Sequence, residues 1–257
     1  MVRLQVLKEE YGTVFDLRNG HFHPDSERRP VSIRMNESSR ENTGLIVVLL
    51  VMTAATGIVD AVSYLGLGHI FTANMTGNVV LMGFGLGGAS GISLSRSVIA
   101  LVCFMLGAAA GGRMGRRIDP RQSRISGLLV EAALLFVAAA ISFKAGGPND
   151  TNAAMLDGVV ASTAMAMGLR NAVVRKLGVA DLTTTVLTLT IAGLAADSAL
   201  AGDGNPRWRR RCAGTVSMLA GAAAGAALLR FSLTVPLLVC GTLAMVCAFI
   251  RFDTTRV

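Results

Sequence analysis

The feature that most constrains this chain is a series of long segments without charge. Between Arg211 and Arg230 there are 18 consecutive uncharged residues, and between Arg230 and Arg251 there are 20. A helix needs about 20 apolar residues to cross the roughly 30 Å of hydrocarbon in a bilayer. Only 16% of the 257 residues are charged, against about 25% in soluble domains. The sequence therefore predicts an all-α, polytopic membrane protein whose main partner is the lipid bilayer.

Apolar run lengths predict eight segments. They are 44–66, 70–90, 97–113, 125–143, 153–171, 182–198, 212–230 and 232–250. Six are typical transmembrane helices. Segments 70–90 and 182–198 differ, because one contains five glycines and both begin with polar Asn or Thr side chains, which is typical of broken helices. We interpret these two as re-entrant or discontinuous segments. The alternative is that one of them spans, which gives seven helices and no symmetry.

Similarities between the two halves indicate a duplicated unit of three spans, with halves at about 44–143 and 153–250. Three matches occur in the same order at sequence offsets of 111 to 114: Gly57–Asp60 with Gly168–Asn171, Met75-Thr76 with Leu187-Thr188, and GAAAG at Gly107–Gly111 with GAAAG at Gly221–Gly225. If both unusual segments turn back, 14 basic residues after the tail face the cytoplasm and three face outside, in agreement with the positive-inside rule. The second half is then inverted relative to the first, as in many secondary transporters.

The first 43 residues differ from the rest of the chain. They contain seven basic and seven acidic residues and no apolar run, so they predict a disordered cytoplasmic tail rather than a signal peptide. Met35 lies directly before the first span, and we expect residues 1–34 to be either a disordered extension or sequence upstream of the native start. The single membrane domain is predicted at 44–252.

The segment Gly57–Gly88 carries the elements V-D-A-x-S-Y and T-x-N-M-T-G-N. With these elements the chain resembles the YoaK-like family of bacterial multi-span inner-membrane proteins, which contain a domain of unknown function. The similarity covers residues 44–250 in length and segment order. It implies a bacterial inner-membrane protein, and the basic residues predict that both termini are cytoplasmic. The second half has Thr188-Leu189 where family members often have Thr-Gly, which argues against full functional symmetry.

Polar residues within the apolar segments are the candidate site. A carboxylate inside a bilayer is costly unless it is paired or hydrated, so Asp60 in the first span suggests an ion-coupling or binding role. Hydroxyl and amide side chains at the two breaks can bind a solute together with free backbone N–H groups. The predicted substrate-binding residues are Asp60, Ser63, Tyr64, Thr72, Asn74, Thr76, Gly77, Asn78, Thr184 and Thr188.

Two further residues are candidates for ion coupling together with Asp60. His69 lies in the turn before the first break and can titrate near neutral pH, although an interfacial histidine is more often only solvated. Arg170 lies at the repeat position next to that of Asp60, so it is a candidate partner of Asp60 or of an anionic solute; the simpler interpretation is a cytoplasmic anchor. No motif for a metal, a cofactor or a catalytic group is recognisable.

The net charge of +8 does not indicate nucleic-acid binding, because the arginines lie at segment ends rather than in a patch with aromatic residues. Small residues four apart in the GAAAG runs predict close helix crossing, either between the two runs or at a homodimer contact. The sequence favours a small secondary transporter for a small-molecule solute. The alternatives are a non-catalytic membrane scaffold and, less favoured, an intramembrane enzyme acting on lipid or quinone.

Overall fold

A computed structural model describes residues 13–15, 22–24, 31–117, 119–145, 152–176, 187–197 and 208–250. Two compact units divide the chain, residues 1–43 and 44–257. In the first, strands β1 (Thr13–Phe15) and β2 (Phe22–Pro24) pair antiparallel, with Val14 opposite His23. The disorder of this tail and the start at Met35 stay predictions.

Helices make up the described residues of the second unit, and the first of these helices begins before residue 44, at Val31. In chain order they are α1 (Val31–Gly66), α2 (Met75–Leu86), α3 (Leu94–Arg117), α4 (Pro120–Lys144), α5 (Ala153–Lys176), α6 (Leu187–Ala196), α7 (Trp208–Leu228) and α8 (Thr234–Phe249). In the described part of the chain, four segments are long and apolar enough to cross a membrane: Gly44–Gly66, Leu94–Arg116, Gln122–Lys144 and Trp208–Leu228. This confirms the predicted helical membrane protein.

The two segments with unusual composition form the two shortest helices of the described chain. Helix α2 has 12 residues and α6 has 10. At 1.5 Å per residue they are about 18 and 15 Å long, well short of the roughly 30 Å hydrocarbon layer. Over its described residues, neither helix is long enough to cross a bilayer.

Helices α1 and α7 touch backbone to backbone at the second GAAAG run. A Cβ atom on Gly221 would overlap the carbonyl oxygen of Ala54, and a Cβ on Gly225 would lie 2.8 Å from the Ile58 Cα atom. Residue numbers rise together along both helices, so the two helices run parallel. Glycine permits this approach because it has no side chain in the contact.

Helices α3 and α5 make the same contact. A Cβ on Gly107 would overlap the carbonyl oxygen of Met165, and a Cβ on Gly111 would lie 2.8 Å from the carbonyl oxygen of Leu169. Met165 and Leu169 of α5 lie 111 residues after Ala54 and Ile58 of α1. Gly107 and Gly111 of α3 lie 114 residues before Gly221 and Gly225 of α7. The offsets equal those of the sequence matches, so the similar segments also make equivalent contacts.

The direction of these helices follows from the contacts at their ends. Arg96, at the start of α3, donates from Nη1 to the carbonyl oxygen of Leu67, directly after α1, over 3.2 Å. The Arg96 Nε atom also pairs with Asp157, at the start of α5, over 2.9 Å. Helices α3 and α5 therefore begin where α1 ends, and this parallel pair runs opposite to the α1–α7 pair.

Helices α4 and α8 are also antiparallel. At one end Arg124 donates to the carbonyl oxygen of Ile250 over 3.3 Å, and at the other the hydroxyls of Ser142 and Thr234 lie 3.1 Å apart. In each of the pairs α1 and α5, α3 and α7, and α4 and α8, the two helices thus point in opposite directions.

The GAAAG runs lie against α1 and α5 rather than against each other. The prediction that the two runs cross each other is therefore wrong, because each run packs on the first helix of the opposite half. The faces of α3 and α7 that carry the small residues therefore pack against helices of the same chain. A homodimer through these helices stays a prediction and has to use their other faces.

Two glycines in α3 offer a matched test of this packing. We expect Gly107→Ala to destabilise the protein by about 1–3 kcal/mol, because its methyl group has no space beside the Met165 backbone. Gly112→Ala has nothing within 4 Å of the new methyl group and should be neutral or gain about 0.5–1 kcal/mol from the helix preference of Ala. Thermal unfolding in detergent compares the two. Equal effects of the two substitutions would contradict the packing.

Candidate functional site

The chain reverses direction between α1 and α2. Gly68 and His69 adopt positive φ angles of 96° and 58° in this turn. The chain then returns into the bundle, where the Ala73 amide donates to Asp60 Oδ1 over 3.1 Å. Asp60 lies six residues before the end of α1, about 9 Å back along the helix axis.

Helix α2 then runs back to the end of the helix bundle at which α1 ends and α3 begins. A Cβ on Gly85 would lie 3.8 Å from Leu94, the first residue of α3, and Leu67 is bonded to Arg96 at the same end. Residues 67–86 therefore enter and leave the bundle at the same end, and α2 begins inside it.

Asn78, in α2, bonds the helix to the residues that precede it. It is fully buried, accepts from the Phe71 amide at Oδ1 over 2.8 Å and donates from Nδ2 to the Phe71 carbonyl oxygen. One side chain therefore replaces both backbone partners that Phe71 lacks in irregular structure. Asn74 has a lesser role, since it caps α2 by accepting from the Gly77 amide over 3.4 Å.

We expect Asn78→Ala to destabilise the protein by about 2–4 kcal/mol, because both polar backbone groups of Phe71 lose their partner inside the protein. The matched change Asn74→Ala removes an exposed cap and should cost about 0.5–1 kcal/mol. Thermal unfolding in detergent distinguishes the two. A smaller loss for Asn78→Ala than for Asn74→Ala would contradict the assigned roles.

The Asp60 carboxylate lies at the start of α2. It is 7% exposed and accepts from the Ala73 amide, directly before the N-cap residue Asn74. The partial positive charge at the start of a helix favours such a carboxylate. The Asp60 carboxylate therefore places a negative charge beside the start of α2, where an anionic solute would otherwise be favoured.

A cavity of about 630 Å³ adjoins this carboxylate, within the range of about 300–1,000 Å³ typical of small-molecule sites. Both short helices begin at its wall, α2 with Met75 and α6 with Leu187. The described residues that line it are Thr56, Asp60, Tyr64, Phe71, Ala73, Asn74, Met75, Thr76, Gly77, Val80, Leu81, Phe104, Leu187, Thr188, Ile191 and Met218.

The other end of α6 is held at the start of α7. Arg211 donates from Nη1 to the carbonyl oxygen of Gly193 over 2.6 Å and to Asp197 over 2.5 Å. A cation at the end of a helix satisfies carbonyl groups that have no partner in the helix. Helix α6 therefore leads from the cavity to the start of α7, as α2 leads from the cavity to the start of α3.

Six of the predicted residues line the cavity together. They are Asp60, Tyr64, Asn74, Thr76, Gly77 and Thr188. Three others, Ser63, Thr72 and Asn78, are buried and lie outside the lining; the Ser63 hydroxyl bonds to the Asp60 carbonyl oxygen. His69 is exposed in the turn, with its ring edge against Tyr64. Thr184 lies outside the described residues.

Ten of the lining residues were not predicted from the sequence, among them Thr56, Phe71 and Phe104. The Phe71 ring stacks on that of Tyr64 with centroids 5.0 Å apart, and Gly77 leaves room for it, since a Cβ there would lie 2.8 Å from the ring. Apolar residues in apolar segments give no signal in the sequence, so only the fold identifies them as part of a site.

Arg170 forms its ion pair with Glu131 and not with Asp60, which was one candidate partner, and it is buried rather than exposed as the simpler interpretation of a cytoplasmic anchor requires. It is 2% exposed and forms an ion pair with Glu131, which is fully buried. The reason is that α5 faces α4 at this level, where Glu131 supplies the neutralising charge that a buried guanidinium requires.

Thr56 connects this ion pair to the cavity. Arg170 donates from Nη1 to the Thr56 hydroxyl over 2.8 Å and to the Met52 carbonyl oxygen over 2.9 Å. Thr56 itself lines the cavity. The network therefore joins α1, α4 and α5 at Thr56, one helical turn before Asp60 along α1.

Comparison with known proteins identifies relatives. A family model described as "Protein of unknown function (DUF1275)" matches residues 48–250. The UPF0700 transmembrane protein YoaK of Bacillus subtilis (strain 168) is 36% identical over 168 residues, which cover 63% of this chain and 69% of the relative. No solved structure matches the chain.

Proposed function

The chain belongs to the DUF1275 family of proteins of unknown function, and we propose that it is a small secondary transporter that moves a solute through the Asp60 cavity. The observation that carries the proposal is the convergence of two short helices on one cavity beside a buried carboxylate. In many secondary transporters, interrupted helices of this kind form the solute and ion site near the middle of the membrane.

The proposal includes six spans, formed by α1, α3, α4, α5, α7 and α8, with α2 and α6 as re-entrant segments. The antiparallel arrangement of equivalent helices and the equivalent glycine contacts support an inverted repeat of three plus three spans. The basic residues support cytoplasmic termini in a bacterial inner membrane.

The structure suggests how Asp60 couples binding to movement. Its carboxylate joins the α1 helix to the break through the Ala73 amide. A proton or a solute cation that takes up the carboxylate charge weakens this bond, which lowers the cost of moving the segment that contains α2 without unfolding it. The α1–α7 and α3–α5 pairs then serve as rigid bodies, because their glycine contacts leave little room for sliding.

Thiol labelling tests the topology. In a variant that lacks the native Cys103, Cys212, Cys240 and Cys247, single cysteines replace Ser90, Pro148 or Gly204. We expect a membrane-impermeant reagent to label positions 90 and 148 from outside the cell and position 204 only from the cytoplasmic side. Labelling of position 204 from outside would overturn the six-span topology.

Transport itself is tested with purified protein in liposomes. We expect uptake of a small solute that depends on an imposed proton or sodium gradient and is absent from protein-free liposomes. Absence of uptake across a screen of amines, carboxylates and neutral metabolites, together with stable co-purification of a membrane complex, would replace the transporter by the scaffold alternative.

A further inference from the structure

We propose that the solute is an organic ammonium, which binds in the cavity with its charge toward Asp60 and its apolar part against aromatic rings; this rests on the proposed transport function. The described residues that line the cavity include one carboxylate and no Lys, Arg or His. The nearby Arg170 lies outside the lining and is paired with Glu131.

The rings support an ammonium rather than a metal ion. Tyr64, Phe71 and Phe104 all line the cavity, and aromatic faces attract organic cations. A hard inorganic cation requires about six oxygen ligands close together, whereas most of the lining here is apolar. The volume of about 630 Å³ also exceeds the need of a bare ion.

The start of α2 does not favour a simple anion, because the Asp60 carboxylate already lies beside it, bonded to the Ala73 amide. The start of α6 carries only about half a positive charge. It can add a carboxylate contact for a zwitterionic amine but cannot outweigh the full charge of Asp60. Ammonium is therefore the chemistry shared by the cationic and zwitterionic solutes that fit the cavity.

The test is a thermal-shift series on the full chain in detergent with five probes: tetraethylammonium, glycine betaine, benzoate, a neutral alcohol of similar size, and NaCl. We expect a saturable rise in the unfolding temperature of a few degrees with tetraethylammonium, betaine or both. Tetraethylammonium alone would identify a cationic solute, and a larger effect of betaine a zwitterionic one. An equal rise with benzoate or with the alcohol would overturn the inference, the latter indicating an apolar or lipid site.

Variants locate the effect in the cavity. Asp60→Asn should abolish the shift, whereas Asp157→Asn, a carboxylate outside the lining, should retain it. Phe104→Leu should weaken tetraethylammonium binding by about 2- to 30-fold, the range expected from one cation–π contact, and it tests the site without changing Asp60. A shift that survives both Asp60→Asn and Phe104→Leu unchanged would overturn the assignment.

Ammonium binding and transport can be contradicted separately. Ammonium binding that is lost in Asp60→Asn, in a protein that moves none of the bound probe in liposomes, would support the site and contradict transport. Gradient-dependent uptake of a carboxylate or a neutral solute with no ammonium binding would support transport and overturn this inference.

Discussion

Asp60→Asn is expected to reduce solute uptake in liposomes to the level of protein-free liposomes while the protein stays folded. The amide oxygen of Asn can still accept, more weakly, from the Ala73 amide, which Asp60 Oδ1 contacts over 3.1 Å, so the fold of the turn between α1 and α2 is retained. The charge inside the cavity is lost, and with it both the attraction for a cation and the means of coupling to an ion gradient. The measurement is the initial rate of gradient-driven uptake at equal reconstituted protein.

Asp157→Asn is the matched control. It also converts an acid within a helix to its amide, but Asp157 pairs with Arg96 at the start of α3 and does not line the cavity. Its uptake should stay close to that of the wild type. Normal uptake by Asp60→Asn, or an equal loss in both variants, would contradict the role assigned to Asp60.

Arg170→Met is expected to destabilise the protein by about 3–5 kcal/mol, the largest effect on stability that the structure predicts. The substitution leaves Glu131 fully buried without its guanidinium partner. The second carboxylate oxygen, Glu131 Oε2, has no hydrogen-bond partner among the described residues even in the wild type. The measurement is the unfolding temperature in detergent.

The double variant Glu131→Leu/Arg170→Met separates the loss of the pair from the cost of an unpaired charge. With both charges removed, stability should return to within about 1.5 kcal/mol of the wild type, because apolar side chains of similar volume often replace a buried ion pair at little cost. If the double variant is as unstable as the sum of the two single ones, the ion pair is not the source of the effect.

Much of the fold follows from the sequence because a bilayer admits few solutions. Uncharged run lengths identify the apolar helices, and polar residues mark the start of both unusual segments, in which the structure places the short helices α2 and α6. The GAAAG runs predict close helix contacts, but not which helices they meet. Their partners, α1 and α5, become evident only when both halves are seen together.

The site is only partly predictable from the sequence, because some of its contacts join the two halves of the chain. Asp60 and the Asn74–Asn78 cluster stand out because polar groups are costly in apolar segments. The partner of Arg170 does not, since the pairing of Glu131 and Arg170 depends on how α4 faces α5. Sequence spacing within one half contains no information on such contacts. Phe71 and Phe104 are likewise indistinguishable from ordinary apolar residues until the cavity is seen.

The most direct test of the account is a cysteine pair at Thr76 and Thr188, which line the cavity from α2 and α6. In the background without native cysteines, we expect a membrane-impermeant thiol reagent to modify both positions from the same side of the membrane. A short bifunctional thiol reagent should also link them within one chain, detected as a joined peptide by mass spectrometry. Modification from opposite sides without a link would show that the two short helices do not share a cavity, and the proposed transport site would then be wrong.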